Sequence, residues 1–188
     1  MTDLSTNEIK PSMKVEVDNE PYVVVSNQFV KPGKGQAFNR IKIKNLITGR
    51  TVEKTYKSME KLTLADVEEK RMRLLYKEQE SAVFMSDETF EQTNVLFSVL
   101  KDNIQWLKDD VLYDLIFYKG QTIDLLPPTF MELVITESAP GIKGDTASGR
   151  VLKPATLETG AKIQVPIFVN EGEKIKVDTR TAEYVSRV

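Results

Sequence analysis

Apolar and polar residues alternate in short stretches along the first third of the chain. The clearest stretch places Arg40, Lys42 and Lys44 on one face of a strand and Ile41 and Ile43 on the other. The same pattern predicts strands at residues 13–17, 21–30 and 50–57, with turn residues between them. Four strands in so short a segment predict a small β-barrel of the SH3 type.

The short strand pattern continues through the middle third. It predicts strands at residues 67–76, 82–85, 111–118 and 121–126, and apolar residues at helical spacing predict a helix within 94–107. One helix between strand hairpins is typical of an OB-type barrel. Trp106 is interpreted as a core or domain-interface residue. Pro127 and Pro128 then form a stiff boundary.

The strand pattern of the last third predicts a second OB-like barrel. Strands are expected at residues 131–135, 161–169, 174–178 and 183–185, with a long polar loop over 138–154. The chain is therefore predicted to be mainly all-β, with domains at residues 1–64, 65–128 and 129–188.

Composition excludes several kinds of chemistry. The 188 residues contain no cysteine and no histidine, which excludes disulfides, Cys or His nucleophile–base pairs and the usual zinc ligands. Acidic clusters at 66–69 and 109–110 offer carboxylates for magnesium, but solvated faces are the favoured interpretation. No apolar run reaches the length of a membrane span, and residues 1–10 lack the apolar centre of a signal peptide. We therefore expect a soluble protein of the cell interior without cofactor or metal.

Charge is distributed unevenly, although the net charge is only −2. Residues 1–64 hold 11 basic and 7 acidic residues, whereas residues 65–128 hold 7 and 13, and residues 129–188 hold 8 and 8. This asymmetry indicates that the first domain faces a polyanion. Within residues 31–57, eight basic residues stand against one acid. That run predicts a phosphate-binding face, and a solvated strand face is the alternative.

The tip, residues 31–37, connects two predicted strands and carries the most distinctive motif. Lys34 lies between Gly33 and Gly35, and Pro32 stiffens the approach. The pattern predicts a projecting hairpin with one cationic side chain at its apex, although an ordinary soluble turn is the alternative. A nucleotide-binding P-loop is excluded, because Gly35 and a strand follow the lysine in place of Ser or Thr and a helix.

A second candidate site lies in the predicted polar loop of the last third. Gly144, Asp145 and Thr146 combine exposed backbone donors with polar side chains, which suits contacts with base edges or sugar hydroxyls. An ordinary flexible loop is the alternative.

Several motifs in one order resemble bacterial elongation factor P over the whole length of the chain. The first is Lys-Pro-Gly-Lys-Gly-Gln-Ala-Phe at residues 31–38. The second is Glu-Thr-Phe-Glu-Gln at 88–92. The most specific is Lys-Pro-Ala-Thr-Leu-Glu-Thr-Gly at 153–160, followed by Asp-Thr-Arg at 178–180 and Glu-Tyr-Val-Ser-Arg at 183–187.

The resemblance implies three β-barrels in an L shape like a tRNA, with an SH3/KOW-like domain followed by two OB domains. It implies a non-enzymatic, monomeric cytoplasmic factor that binds the ribosome between the peptidyl and exit tRNA sites. There it would promote peptide bond formation at consecutive prolines. A general RNA- or protein-binding barrel module is the alternative, and an enzyme based on carboxylates is a poorer one.

The same resemblance assigns roles to individual residues. Lys34 would reach the CCA end of the peptidyl-tRNA, after modification by an enzyme resembling lysyl-tRNA synthetase, with support from its neighbours Pro32, Gly33, Gly35 and Gln36. Residues 144–146 would lie near the exit-site codon of the mRNA. The remaining expected nucleic-acid contacts are Lys31, Arg40, Lys42 and Lys44, and the C-terminal contact candidates are Tyr184 and Arg187.

Overall fold

The computed structural model describes residues 2–139 and 151–188. Its first sheet has six strands: β1 (Asp3–Ser5), β2 (Lys14–Val17), β3 (Glu20–Val30), β4 (Phe38–Asn45), β5 (Thr51–Lys57) and β6 (Lys61–Leu64). They pair in the order β1-β6-β2-β3-β4-β5. The predicted alternation in β4 is confirmed, since Ile41 and Ile43 are fully buried while Arg40, Lys42 and Lys44 are exposed.

Two strands of this sheet were absent from the sequence prediction. β1 and β6 contain three and four residues, too few to show a period of two. They pair with each other, with Leu4 opposite Leu62, and so join the two ends of the domain. Leu62 is buried in the same core as the strands between them.

The second sheet has five strands: β7 (Val67–Lys77), β8 (Ser81–Met85), β9 (Gln92–Leu96), β10 (Leu112–Tyr118) and β11 (Gln121–Leu126). Their order is β11-β10-β7-β8-β9. The helix predicted within residues 94–107 is mostly wrong. Val95 is a buried strand residue opposite Ala82. Only α1 (Phe97–Leu100) and a 3₁₀ turn (Lys101–Trp106) are helical, and a positive φ of 51° at Lys101 ends α1.

The C-terminal strands form a closed barrel, which is typical of the OB fold. They are β12 (Phe130–Ser138), β13 (Leu152–Leu157), β14 (Lys162–Pro166), β15 (Lys174–Asp178) and β16 (Glu183–Arg187). The order around the barrel is β12-β13-β14-β16-β15. The all-β prediction is confirmed.

The loop predicted over residues 138–154 is wrong at both ends. Ser138 belongs to β12, and β13 begins at Leu152. Lys153 and Pro154 concealed β13, because a lysine at an inward position and a proline both argue against a strand. Lys153 is buried, and its ammonium donates to Ser138 Oγ at 3.3 Å.

The described chain clusters into two compact units. One contains residues 1–70 and 115–124, and the other contains 71–114 and 125–188. Within the first unit, the Tyr118 hydroxyl donates to Glu16 Oε2 at 2.7 Å, and the Lys119 ammonium lies 3.0 Å from the same oxygen. The hydrogen bond from Tyr118, followed by that from Lys119, lowers the pKa of Glu16. These contacts hold the end of β10 against β2. The domain limits at 64/65 and 128/129 stay predictions, as does the L shape.

The carboxylate of Asp178 at the end of β15 is expected to make the C-terminal barrel sensitive to acid. The Arg180 guanidinium donates to both carboxylate oxygens, at 3.1 and 2.6 Å, and lowers the pKa of Asp178 to about 2. Because the pKa of Asp178 is lower in the folded protein than its ordinary value, the stabilisation of the folded state by the Asp178–Arg180 pair is fully present above about pH 4. It is lost as the pH falls toward about 2.

We therefore expect Asp178→Asn to reduce the free energy of unfolding at pH 7 and to flatten its decline at acidic pH. Denaturant unfolding of both proteins across the acidic range measures this. Parallel declines for the two proteins would contradict the assignment.

Candidate nucleic-acid interface in the first domain

The tip connects the last residue pair of β3 and β4, Val30 opposite Phe38. Lys34 is exposed and has no hydrogen-bond or ion-pair partner among the described residues. Gly35 has a φ of 112°, a region that L side chains rarely adopt. A Cβ atom built on Gly35 would also lie 3.7 Å from Pro32 Cγ. The local sequence therefore holds a free ammonium at the end of a two-stranded hairpin.

The two glycines of the tip are expected to respond differently to substitution. Gly33 lies outside the left-handed region, and a Cβ there would meet nothing within 4 Å. Gly35→Ala should therefore strain the backbone by about 1–3 kcal/mol, whereas Gly33→Ala should be tolerated. Backbone amide chemical shifts measure the difference: Gly35→Ala should move the signals of the tip while the rest of the domain keeps its spectrum. Equal, small changes in both variants would contradict this account.

The basic face, formed by Arg40, Lys42 and Lys44 on β4, is less positive than its composition suggests. Arg40 Nε lies 3.4 Å from Glu53 Oε1, and the register places Glu53 opposite Lys42. Of the other basic residues in 31–57, Lys54 pairs with Asp18 at 2.7 Å. The other six have no ion pair within the described residues: Lys31, Lys34, Lys42, Lys44, Arg50 and Lys57. Cations without an ion pair are available for contacts with phosphates.

A pair of hydrogen-bonded amides behind the tip, the buried Asn39 and the half-buried Asn27, was missed in the sequence. Asn27 Nδ2 donates to the carbonyl oxygens of Thr6 and Ile9 at 2.7 and 2.8 Å, and Asn39 Nδ2 donates to Asn27 Oδ1 at 3.0 Å. These bonds fix the segment before β2 against the outer half of the hairpin. The available signal was Asn39 itself, a polar residue at the inward register of Ile41 in an alternating strand.

The structure describes only two of the C-terminal candidate residues, Tyr184 and Arg187. Gly144, Asp145 and Thr146 lie outside the described residues. Tyr184 packs against the barrel core. The Arg187 guanidinium donates to the Phe168 carbonyl at 2.6 Å, lies 3.1 Å from Glu173 Oε2 and covers the Phe168 ring at 4.8 Å. Arg187 thus fastens β16 to the loop between β14 and β15, and its predicted role in binding stays a prediction.

Within residues 2–139 and 151–188, no three acidic, His or Cys side chains converge in a way that could hold a metal ion. None of the helices in this part of the chain has both the length and the apolar character needed to cross a membrane.

Three family models match successive parts of the chain. The elongation factor P KOW-like domain matches residues 5–62, the elongation factor P OB domain matches 67–125, and the elongation factor P C-terminal domain matches 131–187. The KOW-like and OB assignments confirm the predicted fold class of the first two domains.

Curated relatives match the chain from end to end. Elongation factor P 2 of Protochlamydia amoebophila is 61% identical over 188 residues, covering 100% of this chain and 99% of the relative. The protein of the same name from Chlamydia trachomatis is 59% identical with the same coverage.

Two solved structures share the fold. Eukaryotic translation initiation factor 5A from Methanococcus jannaschii matches with a TM-score of 0.52 and 18% identity, over 64% of this chain and 91% of that one. A translation initiation factor 5A family protein from Naegleria fowleri matches with a TM-score of 0.56 and 13% identity, over 66% and 95%. At these identities the likeness concerns the fold alone.

Proposed function

The chain belongs to the elongation factor P family of translation factors, and on that basis we propose that it promotes peptide bond formation at consecutive prolines. In this proposal it binds the ribosome between the peptidyl and exit tRNA sites, where Lys34 contacts the CCA end of the peptidyl-tRNA. The observation that supports it most is the exposed Lys34 ammonium, without partners among the described residues, at the end of a glycine-flanked hairpin.

The chemical contribution of the protein is positioning. Proline is a sterically constrained nucleophile, so the reaction depends strongly on how the peptidyl ester is held. An ammonium group can donate up to three hydrogen bonds to phosphate and sugar oxygens. Fixing the reacting ester in a near-attack geometry lowers the entropic part of the barrier. The ribosome carries out the reaction, and the protein itself does not act as an enzyme.

Modification of Lys34 belongs to the same proposal. An enzyme resembling lysyl-tRNA synthetase would extend the side chain, which adds reach and further donors. The exposed tip offers the access that such an enzyme needs, since Gly33, Lys34 and Gly35 are all exposed. The mass of the Lys34 peptide from native protein tests this step.

The remaining contacts are proposed to hold the factor on RNA. The basic face and Lys31 would contact phosphates of the tRNA, and residues 144–146 would lie at the exit-site codon of the mRNA. A single protein would bind each ribosome, in the cytoplasm where translation takes place. Tyr184 and Arg187 remain candidates for a C-terminal contact.

The test is the rate of tri-proline peptide formation on purified ribosomes, with and without protein isolated from its native source. Acceleration is expected for proline runs and not for a control peptide without proline. If the folded protein accelerates neither, a general RNA- or protein-binding module becomes the better interpretation. Such a module would bind isolated RNA tightly, with a steep dependence on salt.

A further inference from the structure

A cavity of about 480 Å³ opens beside the tip, between the segment before β2 and the outer ends of β3 and β4. Its volume falls in the range of about 300–1,000 Å³ that is usual for small-ligand sites. Asn7, Lys10, Phe29 and Asn39 are among the residues that line it. Phe29 and Asn39 are opposite each other in the hairpin, one pair below Val30 and Phe38, so their side chains share a face.

Asn39, one of the lining residues, carries a buried acceptor without a donor. Asn39 is 1% exposed, and its Oδ1 has no hydrogen-bond partner among the described residues. The orientation of this amide follows from its neighbour. Asn27 Nδ2 donates to two carbonyl groups, so the Asn27 atom that faces Asn39 is the acceptor Oδ1. Asn39 must therefore donate to it through Nδ2. The atom left over is an oxygen, and leaving it unpaired costs about 1–3 kcal/mol.

An aromatic ring and a free cation are among the groups that line the cavity. Phe29 is 53% exposed, which leaves its ring available for stacking. Lys10 is exposed and joins no ion pair in the described part of the chain. Asn7, another lining residue, is exposed, and its side chain makes one long hydrogen bond, 3.4 Å to Ser58 Oγ. Because the Asn39 oxygen is buried, a donor reaches it only if a lining side chain moves, and the weakly held Asn7 is the side chain to which we assign that movement.

We propose that this cavity binds an unpaired RNA base that carries an exocyclic amine. The base stacks on Phe29, its amine donates to Asn39 Oδ1, and its phosphate lies near Lys10. Stacking on an aromatic side chain contributes about 1–3 kcal/mol per base, and the amine supplies the donor that the buried oxygen lacks. The inference extends the proposed function, which brings RNA to this hairpin, but it is tested on the protein alone.

The experiment compares two ligands that differ in the amine. The isotopically labelled full chain is titrated with adenosine 5′-monophosphate and with purine riboside 5′-monophosphate, which lacks the amine. We expect adenosine monophosphate to shift the Asn39 side-chain amide signals and to bind about tenfold more tightly, the effect of one hydrogen bond. Equal affinity for the two ligands would overturn the proposal, because attraction of the phosphate alone would then explain binding. No shift at Asn39 would also overturn it, because the base would then not reach the buried oxygen.

A matched pair of variants tests the stacking surface. Phe29→Leu should weaken binding of adenosine monophosphate about tenfold, whereas Phe90→Leu, at an exposed phenylalanine of the second unit, should leave it unchanged. Equal affinities for the two variants would overturn the role of Phe29. The NMR spectrum of each variant reports whether the domain is folded.

Two RNAs then distinguish the source of the base. One is a hairpin with a single adenosine in its loop, and the other is a duplex with a 3′ single-stranded adenosine. Binding of the loop indicates an internal base, and binding of the overhang indicates a tRNA 3′ end. Either result supports the proposal, and failure of both RNAs to shift Asn39 would overturn it. The tri-proline assay is independent of all these readouts, so the proposed function is judged separately.

Discussion

A protein with alanine in place of Lys34 is expected to fold normally and to lose most of its acceleration of tri-proline synthesis. The Lys34 side chain is exposed and makes no hydrogen bond or ion pair in the described structure, so its removal should change stability by less than about 0.5 kcal/mol. In the proposed complex it supplies charge-assisted hydrogen bonds worth about 1.5–3 kcal/mol. Losing them corresponds to a rate about 10- to 100-fold lower. The rate of tri-proline peptide formation at a saturating concentration of the factor measures this loss.

Two controls separate position from charge. Lys61→Ala makes the same change of charge at an exposed residue of β6 and should keep full activity. Lys34→Arg keeps the positive charge but lacks the primary amine that the proposed extension requires. Its activity should therefore fall between that of Lys34→Ala and that of Lys61→Ala. Full acceleration by a folded Lys34→Ala protein would refute the role of the tip.

The sequence could predict the tip because its determinants are local. Gly35 allows the positive φ, Pro32 stiffens the turn, and strict alternation in β4 sets which side chains face solvent. All of these act within a few residues, so they are visible in one short window. The same holds for the exposure of Lys42 and Lys44.

The features that escaped prediction depend on residues far apart in the chain. β1 and β6 are recognisable as strands only because they pair across some 60 positions, as Ser5 does with Lys61. β13 was concealed because Lys153 is accommodated inward by Ser138, a partner on another strand. The Asn27–Asn39 amide pair likewise has meaning only once the carbonyl groups of the N-terminal segment are placed beside it.

The charge of the first domain was predicted in sign but not in distribution. Counting residues could not show that Glu53 neutralises Arg40 or that Asp18 neutralises Lys54. Of the six cations in residues 31–57 that have no ion pair within the described residues, four therefore lie on the hairpin itself, Lys31 and Lys34 in the tip and Lys42 and Lys44 on β4, and the other two are Arg50 and Lys57. This distribution favours contacts near the hairpin over a uniformly basic surface.

Replacing Trp106 by alanine is expected to destabilise the second unit by about 3–5 kcal/mol, the usual cost of removing a buried tryptophan. Trp106 is 2% exposed and lies in one core with residues of the C-terminal barrel, including Leu133 and Val177. Its carbonyl accepts a hydrogen bond of 2.8 Å from the Tyr113 hydroxyl, whose burial raises the pKa of Tyr113 to about 12. The indole thus fills the barrel core from the 3₁₀ turn, so its loss leaves a cavity.

Denaturant unfolding followed by far-UV circular dichroism measures the effect, because the substitution removes the single tryptophan that fluorescence would report. Trp106→Phe retains an aromatic ring and should cost less than the alanine variant. Phe90→Leu, at an exposed residue of the same unit, should leave the unfolding midpoint almost unchanged. If Trp106→Ala unfolds at the same denaturant concentration as the wild-type protein, the indole does not stabilise the barrel. The residues 101–106 would then pack independently of the C-terminal core.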